Sequence, residues 1–189
     1  MVASLLHHRG AAPQPPASAS PREEDRYLRT AFRYHSRTFS LATRLLPRPV
    51  RLPVATLYLY CRTVDELADS RALVVGKTQA LNEADQLERN LNAALDGRPT
   101  GGPNALLWRR LAVVHSDFGL RPGPLHELID GARWDLRDTP VETWDDLLAY
   151  ANLVAGSVGA MMLPFLARAR SDFDALDAPA RSLGNAMQL

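Results

Sequence analysis

The chain predicts an all-α fold, and three observations carry that prediction. Apolar residues recur at helical spacing over long stretches, helix-start and helix-stop signals bracket those stretches, and no alternating run lasts beyond a few positions. No internal repeat stands out, so the pattern fits one bundle with short loops rather than a repeated array.

The opening MVASLLHHRGAAPQPPASAS predicts a disordered tail over 1–20, ahead of a helical domain over 21–189. Its two adjacent leucines are too short an apolar core for a signal peptide. Ser20, Pro21 and Glu23 then make a capping-box start for a helix to about His35. LLPRPVRLP punctuates the chain, and the pattern from Val54 to Ala68 predicts a second helix in which Pro53 is tolerable only in the first turn. Leu81, Leu87, Leu91 and Leu95 mark a third behind Thr78 as cap, stopped by Gly97. After the loop GRPTGGPN, Asn104 caps ALLWRRLAVVHSDF, which closes at Gly119, and RPGPLHELIDGARWDLRD makes a fifth helix up to the Pro140 turn. The longest begins near Thr143, at capping-box spacing from Asp146, and runs to Pro164 or slightly beyond. A last helix starts near Asp177 and is still running at Leu189.

The chain's 189 residues are 46% apolar, with Lys+Arg 22 against Asp+Glu 21, so it lacks the global positive excess of a nucleic-acid binder. Lys77 is the single lysine; the rest of the positive charge is arginine, whose planar fork grips phosphate, although a coding bias explains the preference more simply. Cys61 stands alone, which excludes an internal disulfide and a thiolate zinc cluster and fits a reducing compartment. The longest apolar stretch, Leu153 to Ala167, is broken by Gly156, Ser157, Gly159 and Pro164 and falls short of a bilayer span. No transmembrane helix is expected, and a peripheral membrane contact stays open.

The segment YCRTVDELADS concentrates the chemistry. At 100° per residue, Tyr58, Arg62, Asp65 and Asp69 fall within about 40° of one line, opposite Leu57, Tyr60, Val64, Leu67 and Ala68. Like charges one turn apart cost a few tenths of a kcal/mol unless something binds between them. Two carboxylates at that spacing can hold a hard divalent cation whose other positions are filled by water and substrate phosphate. An arginine one turn earlier can fork onto the same phosphate, and a tyrosine hydroxyl can donate to it. Taken alone, DxxxD is more often a solvated face.

Its context is specific. YHSRTFSLATRLLP (34–47), LYLYCRTVDELADS (57–70), YANLVAGSVG (150–159) and LGNAMQL (183–189) resemble, in order and spacing, the squalene and phytoene synthase family. The resemblance implies an isoprenoid-synthase-type helical bundle, incomplete at its C-terminus. It further implies magnesium-dependent, head-to-head condensation of two prenyl diphosphates, farnesyl or geranylgeranyl, through a cyclopropyl intermediate in carotenoid, squalene or hopanoid biosynthesis. Manganese is an implied substitute for magnesium, a reduced nicotinamide cofactor is implied only for squalene as product, and the implied location is cytoplasmic, with or without membrane association. By motif position, His35, Ser36, Arg37, Thr38, Tyr58, Arg62 and Gln188 match diphosphate-binding residues, and Asp65 and Asp69 match the first magnesium motif. By itself His35 would be a helix-end histidine. VAGSVGA suits either room for a prenyl tail or close helix packing.

Asp135 in GARWDL matches a family aspartate, whereas Arg133 and Trp134 depart from the commoner choices. With Asp130, Asp138 and Asp174, Asp135 is expected to be a solvated acid. The family's second acidic motif lies downstream of the LGNAMQL-like segment, past Leu189. The expectations are therefore a shortened reading frame, a partner chain completing the metal site, or a remnant acting as a helical prenyl-lipid-binding or interaction module, with negligible turnover by this chain alone.

Overall fold

The computed structural model describes residues 12–16, 20–102, 104–167 and 173–188. Most of the anticipated tail lies outside the described residues. Helix α1 (Pro21–His35) opens as expected: both the backbone amide and the hydroxyl of Ser20 donate to Glu23 Oε2, each at 2.8 Å. It ends at Ser36, whose extended backbone turns the chain and whose Oγ accepts from the Phe39 amide at 3.2 Å, so that a short α2 (Arg37–Ala42) follows at once. Sequence periodicity alone marks only one helix end here. The joint is a Ser36 cap.

Helix α3 (Arg48–Glu66) begins earlier than the apolar pattern suggests and takes Pro53 into its interior. A proline there removes one helical hydrogen bond. The Arg51 side chain meets other exposed carbonyls nearby, donating to Leu46 O at 2.8 Å and Arg44 O at 2.7 Å, which ties the preceding turn to the helix. The chain then widens into a π-helical turn (Leu67–Arg71) before the short α4 (Ala72–Val75). Gly76 breaks the run with φ 82°, and α5 (Lys77–Leu95) starts there rather than behind Thr78. A left-handed φ admits glycine more readily than threonine, and this decides the boundary.

Helix α6 (Ala105–Phe118) stops at left-handed Gly119, and α7 (Pro122–Leu136) follows. Helix α8 (Trp144–Ala151) carries the anticipated reciprocal cap: Thr143 N donates to Asp146 Oδ2 at 2.9 Å, and Asp146 N donates to Thr143 Oγ1 at 3.1 Å. A second π-helical turn (Asn152–Gly156) leads into α9 (Ser157–Leu166), and α10 (Asp177–Gln188) closes the described chain. From Trp144 to Leu166 the helix runs 23 residues, long and apolar enough to cross a membrane by length and composition, which corrects the expectation of a broken stretch. It packs on α7 and α10, with Ala151, Ser157 and Met161 buried, and 39% of its most apolar window is buried within the fold.

Helix α3 is the central strut, packed on α1, α6 and α7. Leu57, Tyr60, Val64 and Leu67 face inward as their spacing predicts, and each fully buried side chain of this size contributes about 1.5–3 kcal/mol. The Tyr60 ring lies edge-on to Trp108, 6.2 Å between centroids, and its hydroxyl donates to Leu125 O at 2.7 Å, linking α3 to α7. Helix α10 lies directly on the preceding helix. A Cβ on Gly159 would sit 2.1 Å from Ala180 O, and one on Gly184 would sit 2.2 Å from Ala155 O. The small residues of VAGSVGA therefore serve close helix packing.

Candidate active site

Tyr58, Arg62 and Asp65 project from α3, while Asp69 lies in the π-helical turn that follows it. That wider turn shifts Asp69 relative to a straight α-helix, a distortion often found at functional sites. Arg62 donates from Nε to Glu66 Oε1 at 3.0 Å and places Nη1 3.7 Å from Asp69 Oδ2. His35 Nδ1 approaches the same Glu66 oxygen at 4.0 Å. Glu66, a residue the stripe argument passed over, therefore joins His35 to Arg62. Tyr58 lies near the Ser36 side chain and is packed by Phe32 and Phe39, with centroids 4.7 Å and 6.0 Å away. The structure thus brings together His35, Ser36, Tyr58 and Arg62, whereas Arg37 and Thr38 are exposed on α2.

Beside this group lies a cleft of about 250 Å³ whose walls come from four parts of the chain. Asp65 and Asp69 form one side; Asp135 of α7, Tyr150 of α8 and Gln188 of α10 form the other; Leu128, Ala132 and Val154 supply apolar surface. The Tyr150 hydroxyl donates to Asp135 Oδ2 at 3.1 Å. Two sequence expectations need correction. Asp135 is not merely a solvated acid but a third carboxylate in the cleft, and Ala68 lines the cleft instead of closing the buried face. No sequence periodicity relates Asp135 to Asp65, because their proximity depends on how α7 packs against the π-helical turn. The other acids fit the surface expectation: Asp130 pairs with Arg133 at 3.0 Å, Asp138 with Lys77, and Asp174 with Arg121 at 3.7 Å. Arg133 also holds Asp85 and Glu88, each at 2.6 Å, so its departure from the family pattern has a structural use.

Three carboxylates and no cationic side chain line this cleft. Asp65 keeps some access to water, but the surrounding wall removes enough of it, and Asp69 adds enough like charge, to push its pKa up to about 6. Arg62 opposes that shift and is outweighed. Asp135 is raised by the same loss of water and by Asp69, against the lowering effect of the Tyr150 hydrogen bond. Tyr150 is pushed up to about 12 by partial burial and by the facing carboxylates. Each shift reflects loss of water and like charge that Arg62, paired with Asp69, does not offset. The donors are carboxylate, phenol and amide oxygens, which suit a hard cation such as magnesium. Among the described residues, no three acidic, histidine or cysteine groups converge closely enough to enclose a metal by themselves, so water or phosphate oxygens would complete the coordination.

A helical bundle that turns carboxylates from separate helices into one cleft is of the isoprenoid-synthase type, and comparisons with known proteins agree. The chain matches the squalene/phytoene synthase family model over residues 32–189, and it belongs to that family. It is 33% identical over 158 residues to the chloroplastic phytoene synthase of Daucus carota, covering 82% of this chain and 38% of that protein. It is 39% identical over 163 residues to the phytoene synthase of Rhodobacter capsulatus, covering 85% and 45% respectively. A solved dehydrosqualene synthase superimposes with TM-score 0.74 at 32% identity, over 88% of this chain and 54% of that one. The squalene synthase HpnC of Alicyclobacillus acidocaldarius gives TM-score 0.76 at 26% identity, over 88% and 59%. The chain thus spans less than half the length of these two phytoene synthases.

Proposed function

We propose that this chain supplies the diphosphate-handling part of a magnesium-dependent prenyltransferase site of the squalene/phytoene synthase type. The full reaction would join two farnesyl or geranylgeranyl diphosphates head to head through a cyclopropyl intermediate. The carboxylate cleft carries this reading: Asp65, Asp69 and Asp135 face one another without a lining cation, so binding a cation there relieves their repulsion. Asp65 and Asp69 would hold the magnesium, which when bound would stabilise negative charge on the departing diphosphate. Arg62, held by Glu66 beside Asp69, is placed to pair with diphosphate oxygens, and Tyr58 and Ser36 offer hydroxyl donors next to it. His35 acts through Glu66 to orient Arg62. Gln188 offers an amide from the far wall, and Leu128, Ala132 and Val154 help keep water from an ionised prenyl chain.

A second reading, a helical prenyl-lipid-binding or interaction module, draws on the apolar face of α10, where Leu183 and Met187 are 65% and 73% exposed. Calorimetric titration of a non-hydrolysable farnesyl diphosphate analogue into the purified chain separates the two. Binding that requires magnesium and is lost in Asp65→Ala supports the metal-diphosphate site. Binding indifferent to both overturns it in favour of the module.

A further inference from the structure

A second concavity, of about 580 Å³, shares no lining residue with the carboxylate cleft and has the opposite charge. Six arginines line it: Arg26, Arg29 and Arg33 from α1, Arg44 from the turn after α2, and Arg48 and Arg51 from α3. No carboxylate is among its lining residues. Arg29 reaches Asp25 only at 4.0 Å, and Asp25 is already engaged by Arg110. Arg51 spends its donors on backbone carbonyls, and no described carboxylate pairs with Arg33, Arg44 or Arg48. Guanidinium groups stay protonated at any working pH; Asp25 at the edge of ion-pair distance from Arg29 and Glu23 near Arg26 leave the six arginines in excess of their carboxylate neighbours, so entry of an anion is favoured.

The surroundings narrow the choice of anion. Leu41 and Leu45 adjoin the lining residues Ser40 and Arg44 in the chain and are 62% and 90% exposed. A soluble diphosphate has no use for such apolar side chains, whereas a bilayer surface offers phosphodiesters for the arginines and an acyl boundary for the leucines. We propose that this arginine-lined face, with Leu41 and Leu45, docks the protein on a membrane surface rich in anionic phospholipid. The balanced net charge of +1 conceals this local site, whose lining residues include six arginines and no carboxylate.

Co-sedimentation of the purified chain with phosphatidylcholine vesicles, and with vesicles that also contain phosphatidylglycerol, tests the proposal. Retention should appear only with phosphatidylglycerol and fall roughly 30-fold in Arg44→Gln/Arg48→Gln, two near-surface charges each being worth a factor of about five. Arg29→Gln/Arg33→Gln provides an independent pair should the first fail to fold, and Leu41→Ser/Leu45→Ser should also weaken retention. Arg89→Gln/Arg98→Gln, which removes two exposed arginines outside this concavity, should leave it unchanged, as should Asp65→Ala. Equal retention on neutral vesicles, or no loss in the arginine variants, overturns the proposal. So does full displacement by inorganic diphosphate with no effect of the leucine changes, which indicates a small-anion site, or retention by an RNA oligonucleotide in place of vesicles.

Discussion

Asp65 sits where two unfavourable effects add, loss of water and the charge of Asp69, and the sign of the consequence follows from its pKa of about 6. An unfolded aspartate titrates near 4, so the folded chain binds this proton more tightly, and ionisation costs the fold stability as pH rises through that interval. Asp65→Asn should therefore raise the melting temperature at about pH 7, with the gain disappearing by about pH 4; because the group is partly exposed, a gain of only about 2 °C is expected. Calorimetric melts at the two pH values check this, and the same variant should lose magnesium-dependent ligand binding. Across the cleft, the Tyr150 hydrogen bond holds the Asp135 carboxyl below where burial alone would put it. Tyr150→Phe should accordingly raise the Asp135 pKa, read from carboxyl carbon shifts in an NMR titration. The pair Asp65 and Asp69 was legible in the sequence as a helical stripe. Asp135 was not, because its role depends on how α7 is placed.

At the scale of elements, the local signals with their own hydrogen bonds were the ones that could be read. Ser20 with Glu23 and Thr143 with Asp146 form as their spacing predicts, since both partners lie within one turn. The start of α3, the joint at Ser36 and the two π-helical turns were not readable, because side chains and neighbouring helices settle them: Arg51 on its carbonyls, Ser36 on the Phe39 amide. The contact of α9 with α10 gives a direct test. Gly159→Ala places a methyl against the Ala180 carbonyl and should cost about 1–3 kcal/mol in urea unfolding. Gly123→Ala meets nothing within 4 Å and should be neutral or slightly stabilising. If both changes behave alike, the close approach does not limit stability.

Across the whole molecule, α3 is tied to α7 by the buried Tyr60 hydroxyl, and α10 is tied to α7 by Arg181, whose Nη2 donates to Glu127 Oε1 at 3.0 Å. Tyr60→Phe leaves the Leu125 carbonyl without that donor and should destabilise the fold by about 1–2 kcal/mol, measured by urea unfolding. Native-state hydrogen exchange should find the slowest amides in α3 and α6 around Tyr60 and Trp108, and faster opening in α10, which holds no fully buried side chain. The sequence by itself determined the helical class, the caps at Ser20 and Thr143, most of the inward face of α3 and the acidic stripe, because each rests on residues a few positions apart along one helix. Only the tertiary structure decided which carboxylates share a cleft, that the small residues of α9 receive α10, and that six arginines from three segments face one concavity. Those outcomes depend on distances between helices, and intervals along the chain do not encode them.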